Sequence, residues 1–82
     1  MQMNKTINYF KTSDLTLATT LSLHFPIIKL ERVNSHKVVF VFDDFPDLDQ
    51  MVEQFWQNKL CVEPLQFASQ LKNLKTRIYS SE

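Results

Sequence analysis

The sequence predicts an α+β domain, a compact ferredoxin-like βαββαβ sandwich with an extra C-terminal helix, and three observations carry that reading. Lys37-Val38-Val39-Phe40-Val41-Phe42 is an apolar run of strand length. It gives way through Asp43-Asp44-Phe45-Pro46 to apolar residues at helical spacing, Leu48, Met51, Val52 and Phe55. A second helical stripe lies near the end of the chain at Phe67, Leu71, Leu74 and Ile78, with spacings of four, three and four.

Taken in order, Ile7-Asn8-Tyr9-Phe10 is a short first strand. Thr12, Ser13 or Asp14 then caps a helix by accepting a bond from a free backbone N–H. That helix runs to about Leu23 and buries Leu17, Ala18 and Leu21, with Phe25 just beyond. The chain contains no glycine, so a turn that needs a positive φ falls to Asn, Asp or His. His24 stands where a helix-terminating glycine is common, and reads as a left-handed cap residue.

Ile27 to Val33 alternates imperfectly, with Ile28 and Leu30 on one face and Ile27, Lys29 and Glu31 on the other, as an edge strand with one wet face does. Asn34-Ser35-His36 makes the turn. The next strand is apolar on both sides, Val38, Phe40 and Phe42 against Val39 and Val41, and is expected at the centre of the sheet, covered on both faces.

Pro46 suits the first turn of the second helix, where its missing N–H is not needed, and Asp44, Asp47 and Asp49 complement the positive end of the helix dipole. Beyond Asn58, Leu60-Cys61-Val62 is a fourth strand. Glu63-Pro64 opens the last helix, which ends near Tyr79 and leaves Ser80-Ser81-Glu82 frayed. That helix covers either the second face of its own sheet or the sheet of another copy. Residues 1–82 form one domain with an ordered core of about 7–79, free of repeats and low-complexity segments.

Composition narrows the function. A chain of 82 residues buries only about 60 to 65% of its unfolded surface, so pairing with a second copy adds useful stability. No apolar run approaches the roughly 18 residues of a membrane span, and Met1-Gln2-Met3-Asn4-Lys5 lacks the apolar region of a signal peptide. A cytoplasmic location is expected, consistent with a single cysteine that has no internal disulfide partner. The formal net charge is zero but unevenly spread. Residues 38–64 hold six acids against Lys59, whereas residues 65–82 hold Lys72, Lys75 and Arg77 against Glu82. Local patches of one sign are therefore expected, rather than a uniformly basic nucleic-acid coat.

No catalytic constellation is present. Asp43, Asp44, Asp47 and Asp49 resemble a calcium loop only in part, because counting from Asp43 places Leu48 and Gln54 where the loop needs its glycine and its bidentate glutamate. His24 and His36 lack metal-ligand neighbours at usable spacing. Cys61 has only Lys59 nearby to favour a thiolate. Nucleophile-elbow, metalloprotease and redox motifs are missing, and a glycine phosphate loop is impossible. The RNA-recognition octamer, laid over His36 to Asp43, matches only at Phe40 and Val41, so Phe40 and Phe42 read as core. No enzyme activity, cofactor or metal is expected.

The surfaces left for a partner are the last helix and Trp56. By helical spacing Lys72, Lys75 and Tyr79 share one flank of the apolar stripe and Arg77 projects from the other. Trp56 lies at the margin of the second helix's stripe, on the flank of Val52. The partner-binding candidates are therefore Trp56, Lys72, Lys75, Arg77 and Tyr79, since aromatic and arginine anchors dominate protein interfaces. The expected function is a non-enzymatic protein-protein interaction module, self-associating as a homo-oligomer. Sequence-tolerant nucleic-acid binding by the basic last helix is the alternative.

Tyr9-Phe10-Lys11-Thr12-Ser13-Asp14-Leu15, Phe25-Pro26, Val39-Phe40-Val41-Phe42-Asp43-Asp44, Phe55-Trp56, Val62-Glu63-Pro64, Phe67 and Leu74-Lys75-Thr76-Arg77-Ile78-Tyr79 follow in an order that resembles domain of unknown function family 5659, small bacterial and mobile-element proteins. The resemblance spans about Tyr9 to Tyr79. It favours glycine at the positions of His24 and His36, in keeping with two turn residues, and a small cap in place of Phe45, which leaves the second helix's first turn to Asp44 or water. It implies no activity or ligand, and points to a phage or mobile-element accessory protein.

Overall fold

The computed structural model describes residues 8–80. Ile7, read as strand, Met1 to Lys5, read as lacking a signal-peptide apolar region, and Ser81 and Glu82, read as frayed, lie outside the described residues. In order, the elements are β1 (Tyr9–Thr12), α1 (Leu15–Ser22), β2 (Ile27–Asn34), β3 (Lys37–Asp43), α2 (Pro46–Trp56) and α3 (Pro64–Ser80). The fold is α+β, with one three-stranded antiparallel sheet of order β1-β3-β2. The apolar β3 takes the centre, as its sequence requires. Tyr9, Phe10, Lys11 and Thr12 face Asp43, Phe42, Val41 and Phe40 on one side, while Leu30 and Glu31 face Phe40 and Val39 on the other.

The expected fourth strand does not form, so the ferredoxin-like order is not the order found. α2 ends in a Schellman motif: the Lys59 N–H donates to the Gln54 carbonyl at 2.9 Å, and that of Asn58 to Phe55 at 3.1 Å. Asn58 supplies the required left-handed residue with φ 60°. Only residues 60–63 then separate this reversal from Pro64. Four residues reach at most about 14 Å, which carries the chain from one helix to the next and not to a sheet edge. Leu60-Cys61-Val62 is thus a connector, with Cys61 exposed.

All three helices pack against one side of the sheet. Alternation along β3 sends Phe40 and Phe42 into a core with Leu17, Ala18, Leu21, Leu48 and Leu74, and Phe10, Phe25, Ile27, Leu30, Met51, Phe55 and Ile78 pack around it. The last helix therefore shares the face of α1 and does not cover the second face, and the expectation that helices cover β3 on both sides fails. Val41 is nevertheless fully buried. Its neighbours across the sheet are Lys11 and Lys29, whose ammonium groups meet the Glu31 carboxylate at 3.5 and 3.3 Å, so aliphatic stems and a charge bridge replace a helix.

Two expectations for β2 and α1 change for backbone reasons. A bulge between Ile27 and Lys29 turns both Ile27 and Leu30 toward the helices and leaves Ile28 exposed. α1 closes through Leu23 in ordinary helical geometry, with Phe25 N–H bonding to the Leu21 carbonyl at 2.8 Å. His24 is a turn residue but not a left-handed one, because Pro26 already prevents the helix from continuing. Among the described residues only Asn58 has a positive φ. In the β2–β3 turn, the His36 N–H donates to Asn34 Oδ1 at 2.7 Å, closing an Asx turn.

α1 packs against both α2 and α3 and so is the middle helix of the layer. Its start is capped by Asp14, whose Oδ1 accepts the Leu17 N–H at 3.0 Å. Buried Thr19 and Thr20 return their hydroxyl protons to the Leu15 and Thr16 carbonyls, so neither leaves a polar group unmet. Glu63 caps the start of α3 by accepting the Gln66 N–H at 2.8 Å, and Pro64 occupies its first turn. Gln70 Nε2 donates to Ser22 Oγ at 3.0 Å, tying α3 to α1. Near the other end, Arg32 of β2 donates to the Ile78 carbonyl at 2.8 Å, a cation on the negative pole of the helix dipole.

Leu74 is fully buried while Leu65, nine residues earlier on the same helix, is 79% exposed. Leu74→Ala is expected to cost about 2–5 kcal/mol and Leu65→Ala within about 0.5 kcal/mol in urea denaturation. Arg32→Ala is expected to cost about 1.5–3 kcal/mol and to speed amide exchange in the last turn of α3.

Candidate functional site

The short connector bounds an apolar concavity of the surface. Phe55 and Trp56 at the end of α2, Leu60 and Val62 of the connector and Phe67 of α3 form a groove of about 590 Å³ against Thr16 and Thr20 of α1. Trp56 stands at its lip, 62% exposed, with its ring edge-on to Phe55 at a centroid distance of 4.9 Å. Val62 adds exposed apolar surface to the groove. A concavity of this size, walled by apolar groups with Asp14 and Asn58 at the margin, suits an apolar side chain from another molecule.

The five sequence-predicted residues fall on separate surfaces. Trp56 belongs to the groove and to a second hollow of about 510 Å³ along α2, lined by Asp49, Gln50, Val52, Glu53 and Gln57. Lys72, Lys75 and Arg77 are exposed on α3, and no ion pair holds them among the described residues. Tyr79, 72% exposed, borders a hollow of about 210 Å³ with Arg32, Ser35 and His36 at the other end of α3. α3 is about 25 Å long, so Phe67, which meets Trp56 in the groove, lies roughly 18 Å along it from Tyr79.

Leu60, Val62 and Phe67 are groove residues that sequence reasoning assigned to a strand and a core stripe. Their signal was present: an apolar triplet bounded by Asn58 and Pro64 is too short to pair and still apolar enough to shelter. The sequence gives Glu53 no role, and reads Asp49 within an incomplete calcium loop and as a partner of the helix dipole.

The electrostatics of α2 go beyond that role. Phe45 is the N-cap residue and makes no side-chain cap bond, so the first turn relies on Asp47 and Asp49 to answer the dipole. Asp44 does not cap. Its carboxyl is shifted above the ordinary aspartate range, first by a hydrogen bond with the Asp49 carboxyl, then by desolvation and by the Asp49 charge. One Asp44 oxygen is buried without a partner. On the open sheet face the reverse holds: the Lys29 ammonium bonded to Glu31, joined by the Lys11 charge, keeps the Glu31 carboxyl below its ordinary value against a desolvation that raises it.

Because the folded pKa of Asp44 is raised, its favourable contribution is complete below the unfolded value and disappears as pH climbs through the folded one. Asp44→Asn removes that loss and keeps a donor toward Asp49. It is expected to raise Tm at pH 7 and to leave Tm unchanged near pH 3; an unchanged Tm at both values contradicts the pairing.

No curated protein and no solved structure matches the chain. The described residues contain no helix long and apolar enough to cross a membrane and no group of three side chains able to hold a metal ion. A family model described as "Domain of unknown function (DUF5659)" matches residues 7–80, and the chain belongs to that family.

Proposed function

We propose that this chain is a non-enzymatic protein-interaction module whose binding surface is the Trp56 groove. The observation that carries the reading is a large aromatic side chain that packs edge-on against Phe55 yet is left mostly in solvent, at the lip of an apolar concavity. Trp is enriched among interface hot spots, which cluster in well-packed, desolvated pockets. The helix layer behind it is fixed by the core, so the surface is preorganised and little ordering entropy opposes binding.

Nucleic-acid binding remains the second reading because Lys72, Lys75 and Arg77 are exposed and lack acidic partners among the described residues. It has a narrower base than in the sequence. Phe40 and Phe42, the residues that a stacking sheet would display, are 1% and 0% exposed.

A photo-crosslinking amino acid placed at Trp56 is expected to give discrete protein adducts in the host cell that the same group at Ser35 does not give. Identical patterns from both positions contradict the groove. Fluorescence anisotropy with single- and double-stranded DNA and RNA separates the alternatives. The protein-binding reading predicts no association at low salt, whereas micromolar binding that weakens with salt and is lost in Lys72→Glu/Lys75→Glu favours nucleic acid.

A further inference from the structure

α2 and α3 flank α1, and their exposed stripes carry opposite charge with matching spacing. On α2, Asp49, Glu53 and Trp56 are all exposed and line one hollow; they advance by four residues and then three. On α3, Lys72, Lys75 and Tyr79 are exposed and, read backwards from Tyr79, advance by four and then three. Each stripe is about 10 Å long and holds two like charges and one large aromatic. We infer that the partner is a second copy of this chain, with the Asp49-Glu53-Trp56 stripe of one copy seated on the Lys72-Lys75-Tyr79 stripe of the next. The inference rests on the interaction-module reading and gives it an occupant.

Charge decides among the possible pairings. Laid antiparallel about their centres, two α3 stripes oppose Lys75 to its own counterpart and two α2 stripes oppose Glu53 to its own, so each symmetric helix pairing carries a like-charge contact at its middle. Pairing α2 with α3 removes the repulsion. With the helices antiparallel, Asp49 meets the Tyr79 hydroxyl and Lys72 lies over the Trp56 indole as a cation–π contact. With them parallel, Lys72 meets Asp49 and the two aromatics stack. Glu53 falls on or next to Lys75 in either direction, so that pair is the diagnostic one. The acidic side has a further reason to accept a cation, since the Asp44 and Asp49 carboxyls crowd each other and no ion pair reaches either among the described residues. Each copy presents both stripes, so the contact either closes with both pairs made twice or propagates head to tail.

Sedimentation velocity on the purified chain tests this without any other molecule. Association is expected at 50 mM salt and is expected to weaken at 500 mM, as screening requires. Glu53→Lys and Lys75→Glu should each weaken self-association more than about tenfold. An equimolar mixture of the two single variants should associate again, since each introduced charge then faces its opposite. That recovery also shows that both variants are folded. A wild-type chain that stays monomeric at about 100 μM and low salt, or a mixture that stays as weak as its components, overturns the second copy as occupant. If Trp56 crosslinks to other proteins while the purified chain stays monomeric, this inference fails and the groove reading stands. If Trp56 crosslinks to a second copy and charge-reversal rescue succeeds, both stand; if neither crosslinking nor rescue is seen, both fail.

Discussion

The burial of Phe40 and Phe42 beneath α1 is the constraint on which the rest of the structure depends. Each ring contributes about 1.5–3 kcal/mol when removed from water, and both project from one side of β3 toward Leu17, Ala18 and Leu21. α1 spans only eight residues, too few to shelter two phenylalanines alone, so α2 adds Leu48 and α3 adds Leu74 to the same core. Concentrating the helices on one face makes the short α2–α3 connector possible, and the connector leaves the groove at Trp56.

The same arrangement governs where charge resides. The middle helix is almost wholly buried from Leu17 to Leu21, and its polar side chains satisfy their own backbone. The outer flanks of the layer are therefore α2 and α3, which inherit the acidic middle and basic end of the sequence. On the far side of the sheet, Lys11, Lys29 and Glu31 seal Val41 with mutually compensating charges. An apolar open face would invite sheet-on-sheet association, and the charged cover over Val41 opposes it. Neutral overall charge with separated poles favours ordered association over long-range attraction to one polyanion.

Much of the architecture was legible in the residues. The run from Val38 to Phe42 placed the central strand, the Phe67–Ile78 spacing placed α3, and Pro46 and Pro64 marked two helix starts. What the sequence could not specify was non-local. Whether Leu60-Cys61-Val62 pairs depends on how far four residues can reach, which is decided by where α2 ends in space. The face of Ile27 depended on a bulge that periodicity does not encode, and the absence of a left-handed residue at His24 on the stop already imposed by Pro26. Of the proposed surface, Trp56 was singled out from the sequence, but the groove beside it and the acidic stripe leading to it required the packed helices to be seen together.

The groove and the two charged flanks form within one copy only because α3 lies on its own helix layer. Nuclear Overhauser contacts from the Leu74 methyl groups, recorded on isotope-labelled protein at low concentration, test this directly. Cross-peaks to the Leu17, Leu21, Phe40 and Phe42 side chains are predicted, with none to Val39. Contacts to Val39 would place α3 on the opposite face of the sheet and contradict the account.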